Sequence, residues 1–245
     1  MSLEVRKLTT VSEAGEIRVV IPVKNFEEAK QRLSGSLSPT QRAELAKLMA
    51  ENVIAVCRDL DTAIACDDDD TASWAHKLDL DVIRTDGLDL NGAIGAALAD
   101  TRSADWKYMA IVHADLPLAT SFIDLIGGHA EQVLMVTDRL RDGTNVLVVP
   151  TESEFRFKFG PGSFESHLKV TADLGLDVRV IDSACYSWDI DEPVDLIIPR
   201  DLVGNPEHLR AYTERGLLQV INSNIDDDPD TSDRPTLTGT EVEHR

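Results

Sequence analysis

Short apolar runs alternate with segments of helical character along most of the chain. The runs are rich in Val, Ile, Leu and Ala, which predicts buried strands at 18–23, 62–66, 81–84, 107–113, 133–136, 145–149 and 177–181. The segments between and after them predict helices at 39–56, 72–78, 90–99, 121–127, 167–174, 194–198 and 206–215. This alternation predicts an α/β fold, a single three-layer α/β/α domain built on a mostly parallel sheet.

The start of the first long helix has the clearest local signal. Ser38 is suited to the N-cap, Pro39 to the first helical position, and Gln41 to the return bond of a capping box. Leu45 and Met49 then follow at helical spacing. We therefore expect this helix to begin at Pro39, after a loop that follows the first strand.

The two ends of the chain differ in composition from its middle. Residues 1–16 mix charges with short apolar pieces, and we interpret them as an N-terminal extension to a domain at 17–220. From Asn222 to Arg245 there are seven Asp or Glu and two Lys or Arg, with almost no large apolar residues. Residues 221–245 are therefore expected to be an acidic, disordered tail.

The overall charge limits the classes of partner. The chain has 24 Lys and Arg against 44 Asp and Glu, a net charge of −20, which argues against a nucleic acid or an anionic membrane. A nucleotide remains compatible, because a divalent cation can supply the positive charge that phosphates need. No apolar run reaches the ~18–20 residues of a membrane span, and no signal peptide is recognisable, so we expect a cytoplasmic protein.

The main candidate site consists of acidic residues that follow predicted strands. Asp115 comes directly after the run 107–113, and Asp189 and Asp191 follow the last predicted strand. Ligands of such sheets bind at the carboxyl ends of the strands, and carboxylate oxygens suit Mg²⁺ or Mn²⁺. Asp115 and Asp191 are also suited to cap the helices after them, so each motif alone leaves its role open. The three together favour a divalent-metal site.

The segment from Gly160 to Ser163 contains residue types that bind anions. Two glycines and a hydroxyl group precede a predicted helix, and the N–H groups at a helix start can bind a phosphate. An ordinary turn with a serine near the helix start explains the same residues. The chain lacks a Walker A sequence, and Gly160-Pro161-Gly162 lacks the third glycine of a dinucleotide fingerprint. Both observations argue against a P-loop ATPase and a Rossmann dehydrogenase.

Positive charge is concentrated in the loop after the first strand. Lys24, Lys30 and Arg32 lie there, and their charge suits a triphosphate in an otherwise acidic protein. A solvated loop is the alternative. The run Asp67–Asp70 is interpreted as a solvated helix start favoured by the helix dipole, and His167 as a surface or structural residue rather than a ligand.

Eight motifs occur in an order and with gaps that resemble the 2-phospho-L-lactate guanylyltransferase family. They are Ile21-Pro22-Val23-Lys24, Ala29-Lys30-x-Arg32-Leu33-Ser34, Leu37-Ser38-Pro39-x-x-Arg42, Leu90-Asn91-x-Ala93-Ile94, His113-Ala114-Asp115-Leu116-Pro117-Leu118, Asp138-Arg139-x-x-Asp142-Gly143-Thr144-Asn145, Phe159-Gly160-Pro161-Gly162-Ser163-Phe164-x-x-His167 and Asp189-Ile190-Asp191. The resemblance covers residues 18–200, and several of the motifs are long, so it is specific.

The resemblance implies a nucleotidyltransferase fold similar to that of GT-A glycosyltransferases. Members of the family transfer GMP from GTP to a small phosphorylated acid and release diphosphate, at an early step towards coenzyme F-420. The acid is phosphoenolpyruvate, 2-phospho-L-lactate or 3-phospho-D-glycerate in different lineages. The roles implied here are Mg²⁺ or Mn²⁺ binding by Asp115, Asp189 and Asp191, acid binding by Thr144, Gly160 and Ser163, triphosphate contact and catalysis by Lys24, Lys30 and Arg32, and nucleotide contact by Asn91.

Several alternatives remain open at this point. A related enzyme with another acceptor would resemble a molybdopterin guanylyltransferase or a sugar-phosphate cytidylyltransferase. A non-catalytic nucleotide-binding protein is a further alternative, against which the retention of all three aspartates weighs. The identity of the acid, the residues that read guanine and the oligomeric state are also open, with a homodimer as one option.

Overall fold

The computed structural model describes residues 14–127 and 133–222. Residues 1–13 of the predicted extension and residues 223–245 of the predicted tail lie outside the described residues, so both interpretations stay predictions. The last three residues of the extension, Ala14–Glu16, form one 3₁₀ turn that leads into the first strand. Within the described residues no helix is both long and apolar enough to cross a membrane.

Nine strands form two sheets in the part of the chain that the structure describes. Seven of them form one sheet in the order β3-β2-β1-β4-β6-β5-β7, and β8 and β9 pair in a small second sheet. The strands are β1 (Ile17–Pro22), β2 (Asp61–Cys66), β3 (Asp81–Arg84), β4 (Tyr108–Val112), β5 (Val133–Thr137), β6 (Thr144–Pro150), β7 (Val178–Val180), β8 (Ile197–Pro199) and β9 (Gln219–Ile221).

The large sheet is parallel except at one strand. β6 runs antiparallel to both of its neighbours, β4 and β5, while the other pairs in the sheet are parallel. The connection between β5 and β6 explains the exception, because residues 138–143 are too few for the crossover that a parallel pair requires. The prediction of a mostly parallel sheet is confirmed.

Seven α-helices accompany the strands within residues 14–127 and 133–222. They are α1 (Pro39–Cys57), α2 (Asp69–Lys77), α3 (Leu90–Ser103), α4 (Phe122–Ile126), α5 (Ser163–Asp173), α6 (Ala184–Ser187) and α7 (Arg210–Thr213). The first begins where predicted, and its capping box is formed, since Gln41 N–H donates to Ser38 Oγ at 3.3 Å and Ser38 N–H donates to Gln41 Oε1 at 3.0 Å. Further 3₁₀ turns are Phe26–Glu28, Gln31–Gly35, Pro193–Leu196, Arg200–Leu202 and Pro206–Leu209.

One predicted helix near the C-terminal end is wrong in type, and a second is only partly α-helical. The segment 194–198 is the end of the turn Pro193–Leu196 followed by β8, because Ile197 and Ile198 are β-branched and Ile198 precedes a proline that disfavours the helical conformation. The predicted helix at 206–215 is confirmed as a helical segment, which consists of the 3₁₀ turn Pro206–Leu209 and the single α-helical turn of α7.

Two other predicted helices begin too late. α5 starts at Ser163 rather than at residue 167, since Gly162 adopts a left-handed conformation (φ 69°) that ends the preceding turn. α2 starts at Asp69, with the side chain of Asp68 accepting the Thr71 N–H at its N-cap. The interpretation of Asp67–Asp70 as a helix start is therefore confirmed.

The helices cover both faces of the sheet. One apolar core contains residues of α1, α2, α4 and α6 against the sheet, and a second contains residues of α3 and α5 against the opposite face together with Phe155, Phe157 and Phe159. This arrangement confirms the predicted three-layer α/β/α domain.

A third apolar cluster determines where the functional loops lie. It joins Leu33 and Leu37 from the turn after β1, Leu45 and Met49 from α1, and Ile190 from the segment before β8, together with residues of α7 and the small sheet. Because these side chains pack in one cluster, the loop that carries the basic residues and the segment that carries two of the aspartates are held against the same helix.

Candidate active site

An open cleft of about 650 Å³ runs along the carboxyl ends of β1 to β4. Its walls come from the loop after β1, the residues after β2 and β3, the start of α3 and the end of β4. Functional groups that line it are Lys24, Lys30, Arg32, Cys66, Asp67, Thr85, Asp89, His113, Asp115 and Asp191. The cleft therefore brings together all three predicted basic residues and two of the three predicted metal ligands, at the edge where sheets of this kind bind ligands.

Asp115 and Asp191 approach each other through Lys30. The Lys30 ammonium group donates to Asp115 Oδ2 at 2.6 Å and to Asp191 Oδ1 at 3.0 Å. Two carboxylates that share one ammonium group lie well within the about 10 Å over which they could share an ion or an ion pair. The predicted convergence of these two residues, which are far apart along the chain, is confirmed.

The backbone connects the two aspartate segments directly. Ile190 N–H donates to the Asp115 carbonyl oxygen at 3.2 Å, and the Ile190 side chain is buried in the third apolar cluster. The residue between Asp189 and Asp191 therefore anchors the motif beside Asp115.

Asp189 completes the acidic group. Asn145, on β6, donates from Nδ2 to Asp189 Oδ1 at 3.3 Å and to the Tyr186 carbonyl oxygen at 3.0 Å. Burial and the negative charges of Asp115 and Asp191 raise the pKa of Asp189 to about 6. Burial is the larger cause of this shift, and repulsion by the charges of Asp115 and Asp191 adds to it.

Lys30 compensates part of that repulsion. Burial by itself lowers the pKa of Lys30, but the charges of Asp115 and Asp191 outweigh burial, so the pKa lies above its ordinary value. Burial by itself raises the pKa of Asp115, but the charges of Lys30 and His113 and the hydrogen bonds from Lys30 and the backbone together outweigh it, so the pKa lies below its ordinary value. Lys30 and Asp115, which form a partly buried pair, are therefore both charged.

The donor set fits a divalent cation. Carboxylate oxygens are the ligands that Mg²⁺ and Mn²⁺ prefer, and Asp115 Oδ1 is buried without a hydrogen-bond partner among the described residues, which is costly unless a ligand uses it. No group of three His, Cys, Asp or Glu side chains in residues 14–127 and 133–222 is already arranged around one point for a metal. The Lys30 ammonium group contacts two of the candidates, Asp115 and Asp191.

The two other basic residues are more exposed. The Arg32 side chain is 68% exposed and its Nη1 lies 3.6 Å from Asp191 Oδ2 and 3.6 Å from Glu192 Oε1, whereas the Lys30 side chain is 12% exposed. Lys24 is exposed on the cleft wall. The predicted positive loop is therefore divided into one buried cation and two that remain accessible to a charged ligand.

A positioning residue that the motifs did not reveal lies beside the second aspartate. Asp195 accepts from the backbone N–H groups of Asp191 and Glu192 at 2.8 and 2.7 Å. It also pairs with Arg139, whose guanidinium group lies 4.6 Å from the centre of the Trp188 ring. Asp195 and Arg139 therefore hold the turn that presents Asp191. Arg139 belongs to a recognised motif, but its partner is 56 residues away, so local spacing carries no signal for the pair.

The three predicted acid-binding residues do not line this cleft. Thr144 and Ser163 are buried, and Ser163 Oγ donates to Thr144 Oγ1 at 3.3 Å. Gly160 has a φ of 125° that suits glycine, and it belongs to the segment that begins at Phe159. His113, on the cleft wall, packs against the Phe159 ring with centroids 5.3 Å apart, so this segment borders the cleft.

The N–H groups at the start of α5 are already bonded. Gly162 N–H donates to Asp142 Oδ2 at 3.1 Å, Ser163 N–H to the Gly160 carbonyl at 3.0 Å and Phe164 N–H to the Asp142 carbonyl at 3.0 Å. The expectation that this helix start presents free N–H groups to an anion is corrected, because the β5–β6 connection supplies acceptors for it. The roles of Thr144, Gly160 and Ser163 towards an acid stay predictions.

Asn91 has a structural role that the sequence did not predict. Its Nδ2 donates to the Phe159 carbonyl at 3.1 Å, and its Oδ1 accepts from Phe159 N–H at 2.7 Å. Both ends of the amide are thus bonded to one backbone unit. Asn91 attaches the 159–163 segment to the start of α3, and its predicted contact with a nucleotide stays a prediction.

The structural interpretation of His167 is confirmed. Its ring is buried, Nε2 accepts from Lys158 N–H at 2.9 Å, and Nδ1 lies 3.0 Å from Thr144 Oγ1. Because Nε2 accepts a hydrogen bond, the neutral ring carries its proton on Nδ1 and donates to the threonine. Burial, and then the charge of His113, lower the pKa of His167 to about 4.

Comparison with known proteins identifies the family. The profile of the family described as "Guanylyl transferase CofC like" matches residues 17–224. The chain belongs to this family. The resemblance noted in the sequence is thereby confirmed.

Named relatives cover most of the chain. A 2-phospho-L-lactate guanylyltransferase of Methanothermobacter thermautotrophicus is 32% identical over 203 residues, which is 80% of this chain and 89% of that protein. The same enzyme of Methanococcoides burtonii is 34% identical and covers 74% of this chain and 82% of its own length. A phosphoenolpyruvate guanylyltransferase of Rubrobacter xylanophilus is 29% identical, with coverages of 72% and 90%.

Solved structures confirm the nucleotidyltransferase-like fold. A putative nucleotide-diphospho-sugar transferase from Desulfovibrio desulfuricans G20 superposes with a TM-score of 0.66 at 14% identity, over 85% of this chain and 100% of that chain. CMP:2-keto-3-deoxy-manno-octonic acid synthetase, solved with CTP, superposes with a TM-score of 0.50 at 12% identity, over 83% and 100%. At these identities the similarity concerns the fold alone.

His167 predicts a specific pH dependence of stability. The unfolded chain binds a proton at this histidine below its ordinary pKa of 6.5, but the folded chain does so only near 4. The free energy of unfolding should therefore decrease as the pH falls from 6.5 towards 4, by on the order of 2 kcal/mol at pH 5 from this group. Urea unfolding at pH 7 and pH 5 measures the decrease.

The matched variants are His167→Gln and His76→Gln, the latter at an exposed position of α2. His76→Gln should keep the full decrease between the two pH values, and His167→Gln should lose the part that comes from the buried ring. An equal decrease in both variants would contradict the assignment.

Proposed function

We propose that this chain transfers GMP from GTP to a small phosphorylated three-carbon acid, with release of diphosphate, as an early step towards coenzyme F-420. The acid is phosphoenolpyruvate, 2-phospho-L-lactate or 3-phospho-D-glycerate. Membership of the guanylyltransferase family supports the reaction class. The observation that carries the proposal is the convergence of Asp115, Asp189 and Asp191 beside a cleft lined by Lys24, Lys30 and Arg32.

Mg²⁺ or Mn²⁺ is the proposed cofactor, held by Asp115, Asp189 and Asp191. When bound, it would neutralise phosphate charge and align donor and acceptor oxygens. The unpartnered Oδ1 of Asp115 and the mutual repulsion of the three carboxylates support this choice. Asn145 and Asp195 then act as positioning residues, since each fixes the segment that carries one of the ligands.

The reaction needs no protein base. An oxygen of the acceptor phosphate is already anionic near neutral pH, so it can form the new bond to the α-phosphorus while the bond to the diphosphate oxygen breaks. The remaining task is to hold two polyanions in line and to neutralise the departing diphosphate. The exposed ammonium of Lys24 and guanidinium of Arg32, on the cleft wall, suit the triphosphate.

We assign the guanine base of GTP to the part of the cleft beside β2 and β3. Val23, Leu88 and Leu90 supply apolar wall there, and the exposed carboxylate of Asp67 lies on the same wall. Guanine presents two donors on one edge, its ring N1–H and its 2-amino group, and a carboxylate can accept both. Adenine presents an acceptor at N1, so Asp67 would favour guanine over adenine.

Product formation is the direct test. Purified protein is incubated with GTP, Mg²⁺ and each of the three acids in turn, and the products are identified by mass together with diphosphate release. We expect a product in which a diphosphate links guanosine to the acid, for at least one of the acids. We also expect a clear preference for GTP over CTP, ATP and UTP. A preference for CTP would contradict the proposal and favour a cytidylyltransferase. No product with any of the acids would also contradict it and favour another acceptor.

Removal of a single metal-binding charge should reduce turnover strongly. Asp115→Asn and Asp189→Asn should each lose at least about 10²-fold in kcat/KM, because each removes an anionic ligand from the aligned reactants. Asp59→Asn, whose side chain is 70% exposed on the surface, is the matched control and should turn over normally. Near-normal turnover in both site variants would refute the metal role.

Asp67→Asn should alter the selection of the nucleobase rather than the binding of the metal. Loss of one acceptor should raise KM for GTP by about tenfold and narrow the difference between GTP and ITP, which lacks the 2-amino group. Asp70→Asn, in the same acidic run but outside the cleft lining, is the control. An unchanged GTP/ITP ratio in Asp67→Asn would remove Asp67 from the base site.

A further inference from the structure

Lys30 occupies the space between two carboxylates that the proposed cofactor would also require. Its ammonium group contacts Asp115 Oδ2 at 2.6 Å and Asp191 Oδ1 at 3.0 Å. A divalent cation placed between the same oxygens would bring like charge against the ammonium group. Lys30 and the cation therefore cannot both hold these positions.

The site is built to hold the ammonium group there. Lys30 has a positive φ of 53°, a backbone conformation that side-chain-bearing residues seldom adopt. Its side chain is 12% exposed, far less than that of Arg32 two residues later. Leu33, three residues on, is buried in the third apolar cluster, so the loop backbone has a fixed anchor.

The same contacts leave one ligand oxygen unused. Asp115 Oδ1 is buried and has no hydrogen-bond partner in the described part of the chain, although Oδ2 of the same carboxylate is paired. Among the described residues, the charge that balances this carboxylate comes mainly from Lys30. Departure of the ammonium group would free Oδ2 of Asp115 and Oδ1 of Asp191 together, and both belong to the proposed ligand set.

We propose that Lys30 is an internal counter-ion that blocks the divalent-cation site until its ammonium group moves to the phosphates of a bound nucleoside triphosphate. This inference rests on the proposed function, since it takes the three aspartates as the cation ligands. Lys30 lines the cleft together with Lys24 and Arg32, so phosphate oxygens bound there offer its ammonium group an alternative anionic partner. The cation and the triphosphate then bind cooperatively, and the cation alone binds weakly.

Binding of Mn²⁺ without nucleotide tests the blocking directly. Free Mn²⁺ is measured by electron paramagnetic resonance during titration of the full chain, with no GTP and no acid present. Lys30→Met removes the charge and keeps a long apolar stem, and Lys47→Met removes the same charge from an exposed position of α1. We expect Lys30→Met to bind Mn²⁺ at least about tenfold more tightly than the wild type, and Lys47→Met to match the wild type.

Thermal unfolding gives a second readout that does not depend on turnover. Without metal, Lys30→Met removes the ammonium group that Asp115 and Asp191 share, so its Tm should lie below that of the wild type. Millimolar Mn²⁺ should restore that loss in Lys30→Met and change the wild-type Tm little, because a ligand stabilises only the state that binds it. Lys30→Gln serves as a second neutral variant if the methionine variant folds poorly.

Coupling to the nucleotide completes the test. A non-hydrolysable GTP analogue should increase Mn²⁺ affinity in the wild type, and the increase should be smaller in Lys30→Met, because the block is already absent. Equal Mn²⁺ affinity of wild type and both neutral Lys30 variants without nucleotide would overturn the inference. Guanylyl transfer is measured separately by product mass. If the wild type makes product but binds Mn²⁺ with the same affinity as the Lys30 variants, the proposed function stands and the blocking role of Lys30 is refuted.

Discussion

Three carboxylates are held close together at the carboxyl edge of the sheet, and their mutual repulsion is the constraint that the rest of the site accommodates. The raised pKa of Asp189 is a direct consequence of burial beside Asp115 and Asp191. One buried ammonium group, that of Lys30, offsets two of the charges. A chain of net charge −20 thus concentrates acid at the site proposed for a divalent cation, while Lys24 and Arg32 stay accessible on or beside the cleft wall.

Apolar packing holds this electrostatically unfavourable arrangement in place. Ile190 is buried between the two aspartates of its motif, and Leu33 is buried three residues after Lys30, in the same cluster as α1. Each anchor contributes burial energy that does not depend on the charge state of the neighbouring site. The functional side chains are therefore positioned by apolar neighbours in the chain, while Asp195 and Asn145 set their final orientation through hydrogen bonds.

The segment that the sequence predicts to bind the acid is organised by hydrogen bonds rather than by charge. Thr144, Ser163 and His167 form a buried hydrogen-bonded chain, and Asn91 bonds the backbone of Phe159. These residues shape the segment that carries Gly160. The predicted direct contacts with the acid remain predictions, since two of the three proposed residues are buried and bonded to each other.

Local pattern was sufficient for the strands and most helices up to residue 181, the capping box at Ser38 and the placement of Asp115 after β4, because these depend on neighbours within a few positions. The family motifs likewise lie in short stretches. Only the tertiary structure decided that Lys30 bridges Asp115 and Asp191, that Asp195 pairs with Arg139, and that Asn91 is occupied by a backbone 68 residues away. Those contacts join segments brought together by sheet topology and the third apolar cluster, and the periodicity of one segment contains no information about which distant segment will pack against it.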